Sequence, residues 1–487
     1  MITKTYQIVP RTLLVICVVL LIIGTSGPAR SQPNPHGDTS LFEEVPLGDR
    51  HMLDELARAF HESSKAAKEN YKSTVVRSDY IRLNWDEMIV VASEVKPTLL
   101  RLFKDLAVEF VPKRFEKISL NPKMLGKKER FRWSGGVRVN GREIGQVIFV
   151  ANQTDRTFSG TIRYQNKVFR IRPLGDDRYE VTELKVEGFP EEASPLKQDR
   201  SQSAPAPPPP NPDRTIRHDV EVGVPTPGGL DEPTPAPGPE ATSAPCVIDV
   251  MILYTRDAWA ATPDIEGEIF EAIIQANETF EYSKVNAVVQ PVFWDLLAFP
   301  EGEFASIEKA LDEIRNDSTI WGAQVDKLRR EWKADLVSLW VENSGRGQDY
   351  CGIGYQSDPH QPSDTFAFTV VRRDCASGQL SFTHEIGHNL GMGHDRYDGA
   401  KKGENDGMSN YGHVSLPNAQ RTMMATNREC WDNSMIVCER LPFFSSPNFT
   451  YPGSVSGEPM GIPPGEPDAA DNAAVTRWTA CQIANFR

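Results

Sequence analysis

Apolar residues return at different intervals along the chain, and the changes of interval divide it. At Leu53, Leu56, Ala57 and Phe60 the spacing is three to four residues, which predicts one buried helix face. Residues 74–83 and 136–150 alternate apolar with polar positions, the pattern of half-buried strands. Asn140-Gly141 is a strong hairpin turn between two of them. The alternation continues through residues 160–164, 167–173 and 178–185, punctuated by the turn-forming Gln165-Asn166 and Gly175-Asp176-Asp177. Residues 39–197 therefore read as a β-rich meander, free of cysteine and of any metal-ligand or nucleophile-base spacing.

Periodicity stops at residues 201–245. Pro207 to Pro210 are consecutive there, and Pro233, Pro235, Pro237 and Pro239 alternate. Such a stretch cannot build a core and is expected to be an extended linker, with 198–245 its bounds. Arg214 and Arg217 are candidate processing points within it. Strand and helix then alternate: a strand at 247–254, a helix at 265–282 with Ile269, Ile273, Ala276 and Phe280 on one face, a strand at 288–293, a helix at 304–314, and strands at 334–341 and 365–371. A helix at 468–486 closes the chain.

Charge and cysteine narrow the function. Within 487 residues the formal net charge is −14, which argues against nucleic acid or an anionic membrane as partner. Residues 1–31 read as a signal peptide: Lys4 and Arg11 precede an apolar core at 13–23, then small residues, with cleavage expected near Ala29-Arg30-Ser31. The core is short for a transmembrane span, and no later segment is apolar enough, so export without a stable membrane anchor is expected. Of seven cysteines, Cys17 would leave with the signal. The other six lie from Cys246 onward, an even number suited to an oxidising compartment. Of the 15 possible pairings, nearness and elimination favour Cys351 with Cys375, Cys430 with Cys438, and Cys246 with Cys481.

The chemistry concentrates in His384-Glu385-Ile386-Gly387-His388-Asn389-Leu390-Gly391-Met392-Gly393-His394-Asp395. On a helix His384 and His388 share a face and can grip one ion. Gly391 and Gly393 permit conformations closed to other residues, so the chain can double back and bring His394 to the same ion. Three neutral imidazoles leave a zinc ion one open position for an activated water, and Glu385, about 100° round the helix from His384, is placed as general base. A solvated surface helix is the plain alternative, but three His, one Glu and one Gly at fixed offsets arise by chance only about once in 10⁴ to 10⁵ chains this long.

These residues fill every fixed position of the metzincin zinc motif, which the stretch resembles. Arg421-Thr422-Met423-Met424-Ala425-Thr426 is similar to the family's methionine turn, with Met424 the structural methionine and Met423 the other candidate. Asp395 resembles the reprolysin (adamalysin) branch, and Asp349-Tyr350-Cys351-Gly352-Ile353-Gly354-Tyr355 with Arg373-Asp374-Cys375 resemble bacterial peptidyl-Asp metalloendopeptidases. Thr426 stands where some branches carry a zinc-binding tyrosine. The resemblance implies an α+β (mixed α/β) metzincin-type catalytic domain over 246–487, with a five-stranded mixed sheet and a zinc helix, preceded by a β-rich pro-domain. It also implies a strand above the cleft that pairs with extended substrate, for which residues 365–371 are the choice.

The expected protein is a secreted, monomeric zinc metalloendopeptidase made as a zymogen and acting on protein or peptide substrates. His384, His388 and His394 would hold Zn2+, with Glu385 as base. Cleavage before Asp is a sharper hypothesis and needs a cation near the zinc, for which Arg421 and Arg428 are candidates by position. Asp395 is expected to hydrogen-bond the backbone that positions His394. A calcium site at Asp395, Asp398, Glu404 and Asp406 matches no standard loop, and His360 and His413 are more simply solvated. The competing class is a non-enzymatic adhesion protein braced by zinc, which would need a fourth protein ligand.

Overall fold

The alternating stretches fold as antiparallel strands because their turns permit nothing else. Asn140 (φ 50°) and Gly141 (φ 78°), Gln165 (48°) and Asn166 (59°), and Asp176 (50°) and Asp177 (60°) each supply two consecutive left-handed residues, the geometry that matches the twist of a hairpin. The computed structural model describes residues 40–118, 128–198, 244–304, 306–343, 349–401 and 408–487. The expected signal peptide, nearly all of the proline-rich stretch with Arg214 and Arg217, and Glu404 and Asp406 lie outside them.

Nine strands form the first sheet: β1 (Phe42–Glu44), β2 (Val75–Leu83), β3 (Thr98–Phe103), β4 (Leu106–Lys117), β5 (Phe131–Val139), β6 (Arg142–Asn152), β7 (Thr157–Tyr164), β8 (Lys167–Gly175) and β9 (Arg178–Leu184). Their order is β1-β2-β9-β8-β7-β6-β5-β4-β3, every pair antiparallel. Helices α1 (Arg50–His61), α2 (Lys65–Thr74) and α3 (Trp85–Glu94) accompany it. One face is an aromatic core built on Phe110, Trp133, Phe149, Phe158 and Phe169, closed by Trp85 and Met88 of α3. The alternation puts Arg132, Ser159, Thr161, Arg163, Arg170 and Arg172 on the other face, where solvent would be expected. They are buried instead.

What buries them is the second half of the chain. A second sheet runs β10 (Leu196–Lys197), β14 (Gly352–Gln356), β15 (Phe368–Arg372), β13 (Leu336–Val341), β11 (Cys246–Tyr254) and β12 (Ala287–Leu296). Strands β12, β11, β13 and β15 are parallel, and β14 is antiparallel to β15. It has six strands where five were expected, because Leu196–Lys197 adds itself parallel to β14. The strand chosen to meet substrate, β15, is internal with both edges paired, so the rim strand is β14.

Helix α4 (Arg256–Ala260) follows β11, and α5 (Ile265–Tyr282) then crosses one face of this sheet. Helices α6 (Ile307–Arg315) and α7 (Ile320–Trp332) cover the other, burying Ile307, Leu311, Ile314 and Val325 against Met251, Leu253, Val337 and Leu339. Only the first of these two was expected, and it begins three residues later because Ser306 caps it, accepting from Lys309 N. Helix α5 is enclosed. Its apolar side meets Ile248, Val250 and Ile252, while its polar side lies under the first sheet.

Ion pairs close that contact. Asp264, the N-cap of α5, accepts from Gly267 N at 3.0 Å and takes the fork of Arg130 at 2.7 and 3.0 Å. Glu268 pairs with Arg172 and Arg373, each at 2.9 Å, and Glu278 with Arg132. Arg163 and Arg170 donate to the carbonyls of Gly378 (2.8 Å) and Asp374 (2.6 Å). A buried guanidinium without such partners would be strongly destabilising, so the two sheets need one another's polar groups. Residues 40–487 accordingly form one unit.

Candidate active site

Helices α8 (Arg373–Gly378) and α9 (Ser381–Asn389) follow β15, with Leu380 left-handed between them (φ 62°). Helix α9 carries His384, Glu385 and His388, all fully buried. It stops where Leu390 N reaches back to the Ile386 and Gly387 carbonyls and Gly391 turns with φ 89°. Gly391 alone of the two loop glycines has a positive φ. Asn410 clamps the reversal, donating to Gly391 O (2.7 Å) and accepting from Gly393 N (2.7 Å). His394 thereby returns to the helix.

Each imidazole is held by its Nδ1. His384 faces Met423 O at 3.0 Å, His388 faces Met392 O at 2.8 Å, and His394 faces a carboxylate oxygen of Asp398 at 2.9 Å in the short helix α10 (Arg396–Lys401). Since all three partners are acceptors, each Nδ1 carries the proton and each Nε2 presents a lone pair. His394 Nε2 lies 3.1 Å from that of His384 and 3.2 Å from that of His388. Tetrahedral bonds of 2.0–2.1 Å would separate such nitrogens by about 3.3 Å. Burial, then the charges of His388, Arg440 and His394, depress the His384 pKa, which keeps its imidazole neutral as a ligand must be. The three form the one group among the described residues able to hold a metal ion.

Below the cluster, Met423 and Met424 are fully buried. A Cβ on Gly387 would stand 2.4 Å from Met424 Sδ, so a glycine in mid-helix is what admits the sulfur beneath the imidazoles. Met423 supplies its carbonyl to His384 and Met424 its side chain, which divides the two candidate roles. Asp395, expected to hydrogen-bond the backbone that positions His394, accepts from Asp398 N (2.9 Å) and from Thr426 N and Oγ1 (2.8 and 3.0 Å), tying the third-histidine loop to the methionine turn. Asp398 holds the imidazole.

Glu385 is different. Neither carboxylate oxygen has a hydrogen-bond donor among the described residues, and its flank is so close to β14 that a Cβ on Gly352 would lie 2.6 Å from Oε1. Burial, and then the carboxylate of Glu192 facing it, push its pKa well above the usual carboxylate range, against the pull of Arg440. Glu192 arrives from the run 191–198, which lies along the rim: Cys351 N donates to Glu191 O (3.0 Å), Ala193 N to Gly352 O (2.9 Å) and Gln198 N to Gln356 O (3.1 Å).

The cations sort themselves by partner. Arg421 spends its donors on the carbonyls of Cys438 and Ala425, and half-exposed Arg428 pairs with Asp398 at 3.1 Å. Arg440, unmarked by any pattern in the sequence, is the buried cation paired with Glu192 (2.6 Å). His413 bonds Tyr451 and His360 stays exposed, so neither joins the cluster. Sequence reasoning also missed Asp398 as the imidazole's partner; its place four residues past His394 on a short helix was the available signal.

The profile of metallo-peptidase family M12, the reprolysin-like type, matches residues 245–436, which hold the whole histidine cluster. Residues 245–436 are a reprolysin-like metallopeptidase domain. Proteins named peptidyl-Asp metalloendopeptidase are similar to it. That of Xanthomonas campestris pv. campestris is 27% identical over 334 residues, 68% of each chain. That of Pseudomonas aeruginosa is 30% identical over 263 residues, 51% of this metallopeptidase and 41% of the relative. That of Stenotrophomonas maltophilia R551-3 is 27% identical over 355 residues, 72% of each. The longest of these alignments exceeds the stretch from Cys246 to Arg487, so the likeness reaches N-terminal of the metallopeptidase part. Three disulfides, Cys246–Cys481, Cys351–Cys375 and Cys430–Cys438, are the pairs expected. No helix among the described residues is long and apolar enough to cross a membrane.

Proposed function

We propose that this metallopeptidase is a secreted zinc endopeptidase made as a zymogen, with His384, His388 and His394 as metal ligands, Met424 as the structural methionine, Glu385 as general base and a preference for Asp on the P1′ side. The observation that carries it is the convergence of three Nε2 lone pairs beside a buried carboxylate with no donor of its own. Imidazole donors in this number suit zinc.

His384, His388 and His394 would hold Zn2+, which when bound would supply Lewis acidity toward a carbonyl and lower the pKa of a water to about 7. Glu385 accepts a proton from the attacking water and delivers it to the leaving amine. Its enclosure by β14 and α9 keeps the carboxylate free of competing donors until substrate arrives. Asp398, Met423 and Met392 hold the imidazoles in the ligand tautomer.

The zymogen reading is supported by β10. A peptide substrate adds to a free sheet edge, and the free edge of β14 is taken by residues 191–198. The proline-rich stretch after them suits cleavage. Disulfides favour an oxidising compartment and hence export, and the Asp preference rests on the relatives' names. The test is Glu385→Gln in the processed enzyme: one equivalent of zinc retained and peptide hydrolysis lost. A variant still turning over at the wild-type rate would remove Glu385 from the mechanism.

A further inference from the structure

Glu192 crosses 248 positions of sequence to reach Arg440. Its Oε1 accepts from Arg440 Nη1 at 2.6 Å and from Ser381 Oγ at 2.8 Å. Arg440 Nη1 also donates to Gln379 O at 2.9 Å, so the guanidinium is anchored to the turn leading into α9. Ser381 opens α9, one turn before Glu385, and shares its side of the helix. A carboxylate is thus held by a guanidinium and a hydroxyl, immediately beside the proposed base.

The pocket keeps capacity in reserve. Arg440 Nε is buried without a partner among the described residues, and so is the second oxygen of Glu192. The side chains of Arg440 and Glu192 are almost wholly enclosed, at 2% and 0% exposure. A fork bound through one nitrogen can take a carboxylate through two. Glu192, moreover, belongs to the run that occupies the rim of the cleft, so when that run leaves, a buried cation loses its carboxylate. Some other anion must then satisfy it.

Resting on the endopeptidase reading above, we propose that Arg440 and Ser381 form the subsite for the acidic substrate side chain, and that Glu192 occupies this subsite from within the precursor. The Asp preference then comes from a guanidinium in the short strand Glu439–Arg440, not from Arg421, which donates to the carbonyls of Cys438 and Ala425, or from Arg428, half-exposed and paired with Asp398. An amide isostere in the substrate cannot neutralise the buried cation. A site built around a buried charge rejects such an isostere strongly.

The test uses full-length chain clipped in the proline-rich stretch by trace protease, with matched peptides bearing Asp, Asn or Lys at P1′. The wild type should cleave the Asp peptide at least a hundredfold more efficiently than the Asn peptide. In Arg440→Gln that ratio should fall at least tenfold, chiefly through KM; Arg440→Lys should restore part of it. Arg440→Glu combined with Glu192→Arg, which keeps an opposite-charge pair in the precursor, should move preference toward Lys. Purely structural damage would lower both peptides alike and leave the ratio. Should Arg440→Gln not fold, Ser381→Ala is expected to lower the same ratio several-fold. A wild type that cleaves peptides without acidic preference overturns the specificity reading itself. A wild type with that preference whose ratio survives Arg440→Gln overturns only the assignment to Arg440.

Discussion

His394 and Asp398 meet Nδ1 to Oδ2 at 2.9 Å, and the other oxygen of Asp398 takes Arg428 at 3.1 Å. The third histidine, the one not carried by α9, is thus oriented by a carboxylate that is itself tethered. Asp398→Asn should weaken metal affinity about 10- to 100-fold while leaving the fold intact. Competition with a chromophoric chelator measures this, and an unchanged affinity would show that the pair is not what orients the ring.

Gly387→Ala should destabilise the protein by about 1–3 kcal/mol, since the new methyl would stand 2.4 Å from Met424 Sδ in a packed interior. Combining it with Met424→Ala should recover part of that loss, because the clash is between these two groups. Thermal unfolding of the two single variants and the pair gives the coupling. Simple additivity would mean the methionine does not pack against this glycine.

Glu271 lies on the enclosed face of α5, and burial, helped by the nearby negative charge of Glu268, pushes its pKa up to about 7 from an ordinary 4.5. A carboxyl with a raised folded-state pKa contributes fully below about pH 4.5 and loses that contribution as pH rises through 7. Glu271→Gln should therefore be more stable than wild type at pH 8, by up to about 3 kcal/mol, with the difference shrinking toward pH 5. Unfolding at both pH values checks it; a difference independent of pH would place the titration elsewhere.

Glu268 on the same face behaves oppositely. Burial would raise it, but Arg172, Arg373 and Arg170 outweigh burial and hold it at about 2. Its contribution is present above about pH 4.5 and is lost as pH falls toward 2. Acid should thus loosen the first sheet from α5 before it disrupts the disulfide-linked part, and hydrogen exchange across β5–β8 at pH 3 should rise ahead of exchange in β11–β13. Simultaneous exchange would count against these ion pairs as the weak joint.

Local rules made much of this protein legible in its sequence. Two histidines four residues apart share a helix face whatever surrounds them, and a glycine after them allows reversal, so the cluster of His384, His388 and His394 and the place of Glu385 followed from spacing. The hairpins at Asn140-Gly141 and Gln165-Asn166 followed from turn chemistry, which likewise acts within a few residues. The six cysteines from Cys246 onward could be paired by nearness because two of the three links are short in sequence, 24 and 8 residues.

What needed the tertiary structure was everything joined across distance. The pattern on α5 distinguishes its polar face, Glu268, Glu271, Gln275 and Glu278, from its apolar one, yet polarity does not reveal what covers it; here a sheet of buried arginines does. Sheet order decided that β14, not β15, forms the rim, and an added strand from residues 196–197 decided that the rim is occupied. Glu192, Ser381 and Arg440 belong to three segments with no shared periodicity. Their meeting beside Glu385 depends on how two sheets dock, and docking is set by the sum of many long-range contacts that no local pattern encodes.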